Sequence, residues 1–114
     1  MPFIRTTTNK TLTDAQKSEL RKLCGRLITK FPGKTEAWLM ISVSDSTYMA
    51  FRGEDGEDMA MVEVDLLGKP DPAACDAMTE AVCREVGALL GIDPAKIYVK
   101  YSGYEIWGYN GTNF

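Results

Sequence analysis

The chain has 114 residues, of which 45% are apolar and 25% charged, with a net charge of −3. That length builds one hydrophobic core rather than two, so a single domain over residues 1–114 is expected. The acidic balance argues against nucleic acid as a partner, and no apolar run reaches the ~20 residues that span a bilayer.

Pro2 to Thr7 reads as a β-strand, carrying β-branched and aromatic residues. Thr13 then stands as a helix N-cap, with Gln16 completing a capping box. Leu20, Leu23, Cys24, Leu27, Ile28 and Phe31 follow at the spacing of one helical face, and Pro32-Gly33 stops the helix. Trp38 to Val43 reads as a second strand, apolar at both parities, so both its faces should be covered. Met49 to Phe51 is expected as a short extra strand, and Gly53 to Asp58 as a solvated acidic turn. Met59 to Leu67 is the next strand. Asp71 caps a second helix with Pro72 at its first position. Cys75, Met78, Val82, Val86 and Leu89 mark that helix's buried face, and Gly91 ends it. Ile97 to Tyr101 closes the series, with a shorter strand near Trp107.

The pattern is strand–helix–strand, twice. Gly33 and Gly91, which precede corresponding strands, lie 58 positions apart, about half the chain. Two βαβ units give an α/β fold: a four-stranded mixed sheet with both helices on one face. The other face is then expected to be bare, with Trp38, Met40, Ile4 and Val64 on it. A bare apolar face predicts assembly with further copies of the chain.

The residue inventory narrows the chemistry. There is no histidine, which excludes Ser-His-Asp and Cys-His catalysis and the usual zinc sites. Acid–base work near neutral pH falls to a carboxylate, a lysine, a tyrosine or the N-terminal amine. The three cysteines form no Cys-x-x-Cys pair and are read as core residues. No metal and no cofactor is expected. The N-terminus lacks a basic region followed by an apolar stretch, which points to the cytoplasm. Secretion without a signal peptide is the alternative.

Several motifs stand in a familiar order: Met1-Pro2-Phe3-Ile4, Gly33-Lys34, Leu67-Gly68-Lys69, Tyr98 within Ile97-Tyr98-Val99, and the ending Trp107 to Phe114. Over its whole length the chain resembles the macrophage migration inhibitory factor family of the tautomerase superfamily. The resemblance implies a homotrimer with a pocket at each subunit boundary. It also implies keto–enol tautomerisation of aromatic 2-oxo acids such as phenylpyruvate. Animal members of the family are also secreted cytokines, which leaves a second reading. There the chain is a cytokine-like interaction protein, recognised by an animal receptor, with a weak pocket.

By that resemblance Pro2 is the general base, provided Met1 is removed so that its nitrogen becomes a free amine. An apolar pocket and a nearby cation would both disfavour the charged amine and lower its pKa. Without the resemblance, Pro2 is equally a rigid start to a strand. Lys34 matches the lysine that binds the substrate carboxylate, and is otherwise a surface lysine. Leu67 matches a position whose backbone N–H contacts substrate. Tyr98 matches a tyrosine supplied by the neighbouring subunit. Lys100 replaces a common asparagine, Trp38 a frequent tyrosine, and Trp107 a smaller aliphatic residue. Lys100 either adds a second cation to the pocket or points out as charge on a strand, and the two indoles either stack on an aromatic substrate or narrow the pocket. The Cys-x-x-Cys of animal members is absent, with Ala60 to Glu63 near its place, so no thiol–disulfide activity is expected.

Overall fold

Both helices begin at their cap residues. In the computed structural model, which describes residues 1–114, helix α1 spans Asp14–Leu27. The Thr13 hydroxyl accepts from the Gln16 N–H at 3.0 Å, and the Gln16 side chain accepts from the Thr13 N–H at 2.9 Å. This exchange satisfies two donors that a helix start otherwise leaves unpaired. Helix α2 spans Pro72–Leu90. The Asp71 carboxylate accepts from the Ala74 N–H at 3.0 Å, and Gly91 ends the helix in the left-handed region at φ 68°.

Four strands form the main sheet: β1 (Pro2–Thr8), β2 (Met40–Ser44), β3 (Ala60–Leu67) and β4 (Ile97–Tyr104). Their order is β2-β1-β3-β4. β1 and β2 run parallel and are joined through α1; β3 and β4 run parallel and are joined through α2. The central pair β1–β3 is antiparallel. The chain is thus two βαβ units meeting back to back, an α/β fold with both helices on one side of a mixed sheet.

The core lies between sheet and helices. β3 alternates buried and half-buried residues along its whole length. Its buried set, Ala60, Val62, Val64 and Leu66, packs with Ile4 of β1 and with Leu20, Leu23 and Leu27 of α1. Met78, Val82, Val86 and Leu90 of α2 complete the cluster. Cys24 is buried, Cys75 and Cys83 are half-buried, and all three are free thiols on the helices. Burial pushes the Cys24 thiol up to about 11 and raises the other two, so none is a thiolate at neutral pH. No helix is long and apolar enough to cross a membrane.

Four expectations are corrected. Ile4 and Val64 do not lie on the bare face; both are fully buried beneath the helices. The open face is instead polar at its centre, where Arg5, Glu63 and Lys100 stand side by side across β1, β3 and β4. Glu63 accepts from Arg5 at 2.5 Å and pairs with Lys100 at 3.0 Å. The second strand starts at Met40, because Glu36–Trp38 forms a turn of 3₁₀-helix. β2 is an edge strand, so its faces are not both covered and Met40 is exposed. Met49 to Phe51 forms no strand; Phe51 instead makes a single bridge to Glu54 across a tight turn. The short strand near Trp107 is present as a hairpin of β5 (Gly108–Tyr109) and β6 (Thr112–Asn113).

Candidate active site

The start of β1 is held from two directions. Pro2 is buried and pairs in register with Leu66 of β3. The Leu67 N–H donates to the Met1 carbonyl at 3.0 Å, and the Lys34 ammonium donates to the Leu67 carbonyl at 3.3 Å. Pro2, Lys34 and Leu67 therefore meet at one end of the sheet.

A turn delivers Lys34 to this place. Phe31-Pro32-Gly33-Lys34 closes with the Lys34 N–H donating to the Phe31 carbonyl at 3.1 Å. Proline at the second position suits the turn's first bend, and Gly33 at φ 77° supplies the left-handed second bend. A residue with a side chain would strain there.

Beside this point lies a cleft of about 880 Å³, lined by 14 residues of which 11 are hydrophobic. That volume falls in the range typical of small-molecule sites. Met1, Pro2 and Phe3 form one wall. Trp38 and Met40 form another, and the C-terminal segment closes the third with Tyr104, Ile106, Trp107 and Tyr109. The aromatic rings brace one another. Trp38 meets Tyr109 edge-on at 5.3 Å, and Trp107 meets Tyr104 edge-on at 5.9 Å. Phe114 stacks on Tyr109 at 6.2 Å, and its N–H donates to the Trp107 carbonyl at 3.0 Å. The hairpin thereby folds the chain's end back over the cleft.

The electrostatics at the chain's start favour a neutral amine. The Met1 α-amine is held below its ordinary value, first by burial and second by the positive charge of Lys34. Pro2 sits one residue deeper into the same surroundings.

Two candidate residues lie elsewhere. Tyr98 and Lys100 are on β4, and β4 runs so that Ile97 pairs with Ala60, at the end of β3 remote from Leu66. Tyr98 is exposed at the far end of the sheet, packed edge-on against Phe51 at 5.0 Å. Lys100 stands at mid-strand on the open face with Glu63. Within one chain, neither reaches Pro2. Tyr104, Ile106, Tyr109, Phe3 and Asp65 line the cleft without having been singled out in the sequence. The concentration of aromatic residues after position 100 was the available signal.

The sequence model of one family, described as Macrophage migration inhibitory factor (MIF), matches residues 1–114. The crystal structure of MIF2 from Leishmania major superposes with a TM-score of 0.92 at 32% identity, covering 100% of this chain and 97% of that one. A macrophage migration inhibitory factor homologue from Prochlorococcus marinus gives a TM-score of 0.79 at 26% identity, covering 98% of each chain. At the level of fold alone, a fused 4-OT protein described as a symmetric trimer gives a TM-score of 0.85 at 22% identity, covering 97% of this chain and 94% of that one. Comparison with curated protein sequences returned no match. The whole-chain family match and the shared architecture agree with the Pro2, Lys34 and Leu67 cluster: this chain belongs to the macrophage migration inhibitory factor family.

Proposed function

We propose that the protein is a keto–enol tautomerase of aromatic 2-oxo acids such as phenylpyruvate, with Pro2 as the base once Met1 has been removed. The convergence of Pro2, Lys34 and the Leu67 N–H beside an aromatic cleft carries this reading. Lys34 binds the substrate carboxylate. The neutral Pro2 nitrogen takes a proton from the carbon next to the carbonyl, and the resulting ammonium returns one to the other end of the enol system. The Leu67 N–H hydrogen-bonds the substrate in the place that the Met1 carbonyl fills. Trp38 and Trp107 flank the substrate ring. Removing Met1 thus does two things together: it creates the amine and frees the Leu67 donor.

Trimerisation belongs to the same reading. Tyr98 is 61% exposed at the end of the sheet away from Pro2, where it serves a neighbour's site rather than its own. A head-to-tail contact of this kind forms a ring where its rotation closes after three copies. Light scattering should give about three times the chain mass at micromolar concentration. A monomer with full activity would contradict the shared pocket.

The decisive experiment compares phenylpyruvate tautomerisation by the Met1-free chain, a Met1-retaining form and Pro2→Gly, with the N-terminus verified by mass. Equal rates in all three would remove Pro2 from the chemistry. The description of the family, macrophage migration inhibitory factor, favours a second reading, a secreted ligand for an animal receptor. In that case receptor binding persists in Pro2→Gly, and the protein is found outside intact cells.

A further inference from the structure

Asp65 is the one acidic side chain lining the aromatic cleft. It is half-buried, yet it makes no side-chain hydrogen bond or ion pair. Two cations on its face of the sheet are engaged elsewhere. Arg5 senses the Asp65 charge, but its guanidinium is held by Glu63 at 2.5 Å. Lys100 also turns to Glu63, at 3.0 Å. The register neighbours of Asp65 are Phe3 on β1 and Ser102 on β4, and neither brings a positive charge. A carboxylate against an apolar wall gains most from a charged donor and loses most beside a second anion.

Its position puts a negative group in the cleft, with a positive one beside it. Lys34 donates to the Leu67 carbonyl at 3.3 Å. Asp65 lies two residues earlier on β3 and lines the cleft itself, together with Phe3, Tyr104 and Trp107.

We infer that Asp65 sets the specificity of this cleft, selecting aromatic carboxylates that carry a cationic hydrogen-bond donor at the end opposite their carboxylate. A ligand with its acid on Lys34 and an ammonium on Asp65 satisfies both ends. A ligand with a second carboxylate there meets like charge in a site of low polarity. The inference uses the same cleft and the same Lys34 role as the tautomerase reading. It concerns binding, so it does not depend on turnover.

The test measures binding to the Met1-free protein through the fluorescence of Trp38 and Trp107, which flank the cleft. The probes are phenylpropanoate, its para-aminomethyl derivative and its para-carboxy derivative, none of which can tautomerise. The ammonium probe should bind at least about tenfold tighter than the parent, the gain expected of one charged hydrogen bond. The dicarboxylate should bind more weakly than the parent. Asp65→Asn should abolish that order, and Asp65→Glu should largely keep it. An unchanged order in Asp65→Asn, or no preference in the unmodified chain, overturns the inference. So does an Asp65→Asn protein whose assembly state changes while its ligand order does not, because Asp65 would then serve a subunit contact. Phenylpyruvate turnover is assayed alongside. Turnover without the preference removes only the Asp65 role, and the preference without turnover removes only the tautomerase.

Discussion

Ile4 and Arg5 are neighbours on β1, yet Ile4 is fully buried under the helices and Arg5 stands on the open face. Following the register outward repeats the contrast. Ile4 meets Ile41 and Val64, all on the helix side, whereas Arg5 meets Ser42 and Glu63, with Lys100 beyond. One side of the sheet excludes water, and the other keeps charges that water or another copy of the chain can reach. The helix side secures the fold. The open side is left to water and to assembly, and the cleft lies at one end of the sheet.

The largest break in that division should come at the start of β1. Retaining Met1 removes the basic nitrogen while leaving the core intact. The expected loss is about 100-fold or more in kcat/KM for phenylpyruvate, with an unchanged unfolding midpoint. On the helix side, Ile4→Ala should cost about 2–5 kcal/mol in urea unfolding, since it opens a cavity in a packed core. Lys34→Ala should lower kcat/KM about 10- to 100-fold by removing a charged hydrogen bond to the substrate. It should also move the pH profile. Lys34 disfavours the protonated amine, and the base works only when deprotonated. Without Lys34 the amine pKa rises, so the acidic limb of kcat/KM shifts to higher pH.

A smaller effect of opposite sign is expected at Thr6. Its hydroxyl is fully buried on the helix side and has no hydrogen-bond partner. Thr6→Val should therefore stabilise the protein by about 1 kcal/mol, read as a higher urea midpoint. The smallest change is expected at Glu63 on the open face. Its hydrogen bond from Arg5, and next that from Lys100, hold its carboxyl below the ordinary range. That contribution is present above the usual carboxylate pKa and is lost as pH falls through the lowered one. Glu63→Gln should flatten this part of the stability–pH curve, lowering stability slightly at neutral pH and leaving it unchanged in acid.

Local chemistry made much of this molecule legible in its sequence. Thr13 with Gln16, Asp71 with Pro72, and Gly91 mark helix ends by hydrogen bonds made within a few residues, and each holds. The alternation along β3 shows which residues share a face. It does not say which face the helices cover, and so Ile4 and Val64 were assigned to the wrong side. The apolar run from Trp38 suggested a strand, but its first residues form a 3₁₀ turn that packs Trp38 on Tyr109, a contact from the other end of the chain. The cleft was legible at Trp38 and Trp107. Asp65 and Tyr109 were not, because only the register of β3 and the closure of the terminal hairpin bring them there.

Under the proposed mechanism, the hydrogen bond from Leu67 to the Met1 carbonyl makes the newly synthesised chain a self-blocked form. Its activity would then report how completely a host trims its nascent proteins. A preparation overexpressed beyond the capacity of the methionine aminopeptidase would be a mixture of blocked and open chains, with specific activity tracking the trimmed fraction. An affinity tag fused ahead of residue 1 would silence every copy, whereas one placed after Phe114 would leave the amine free.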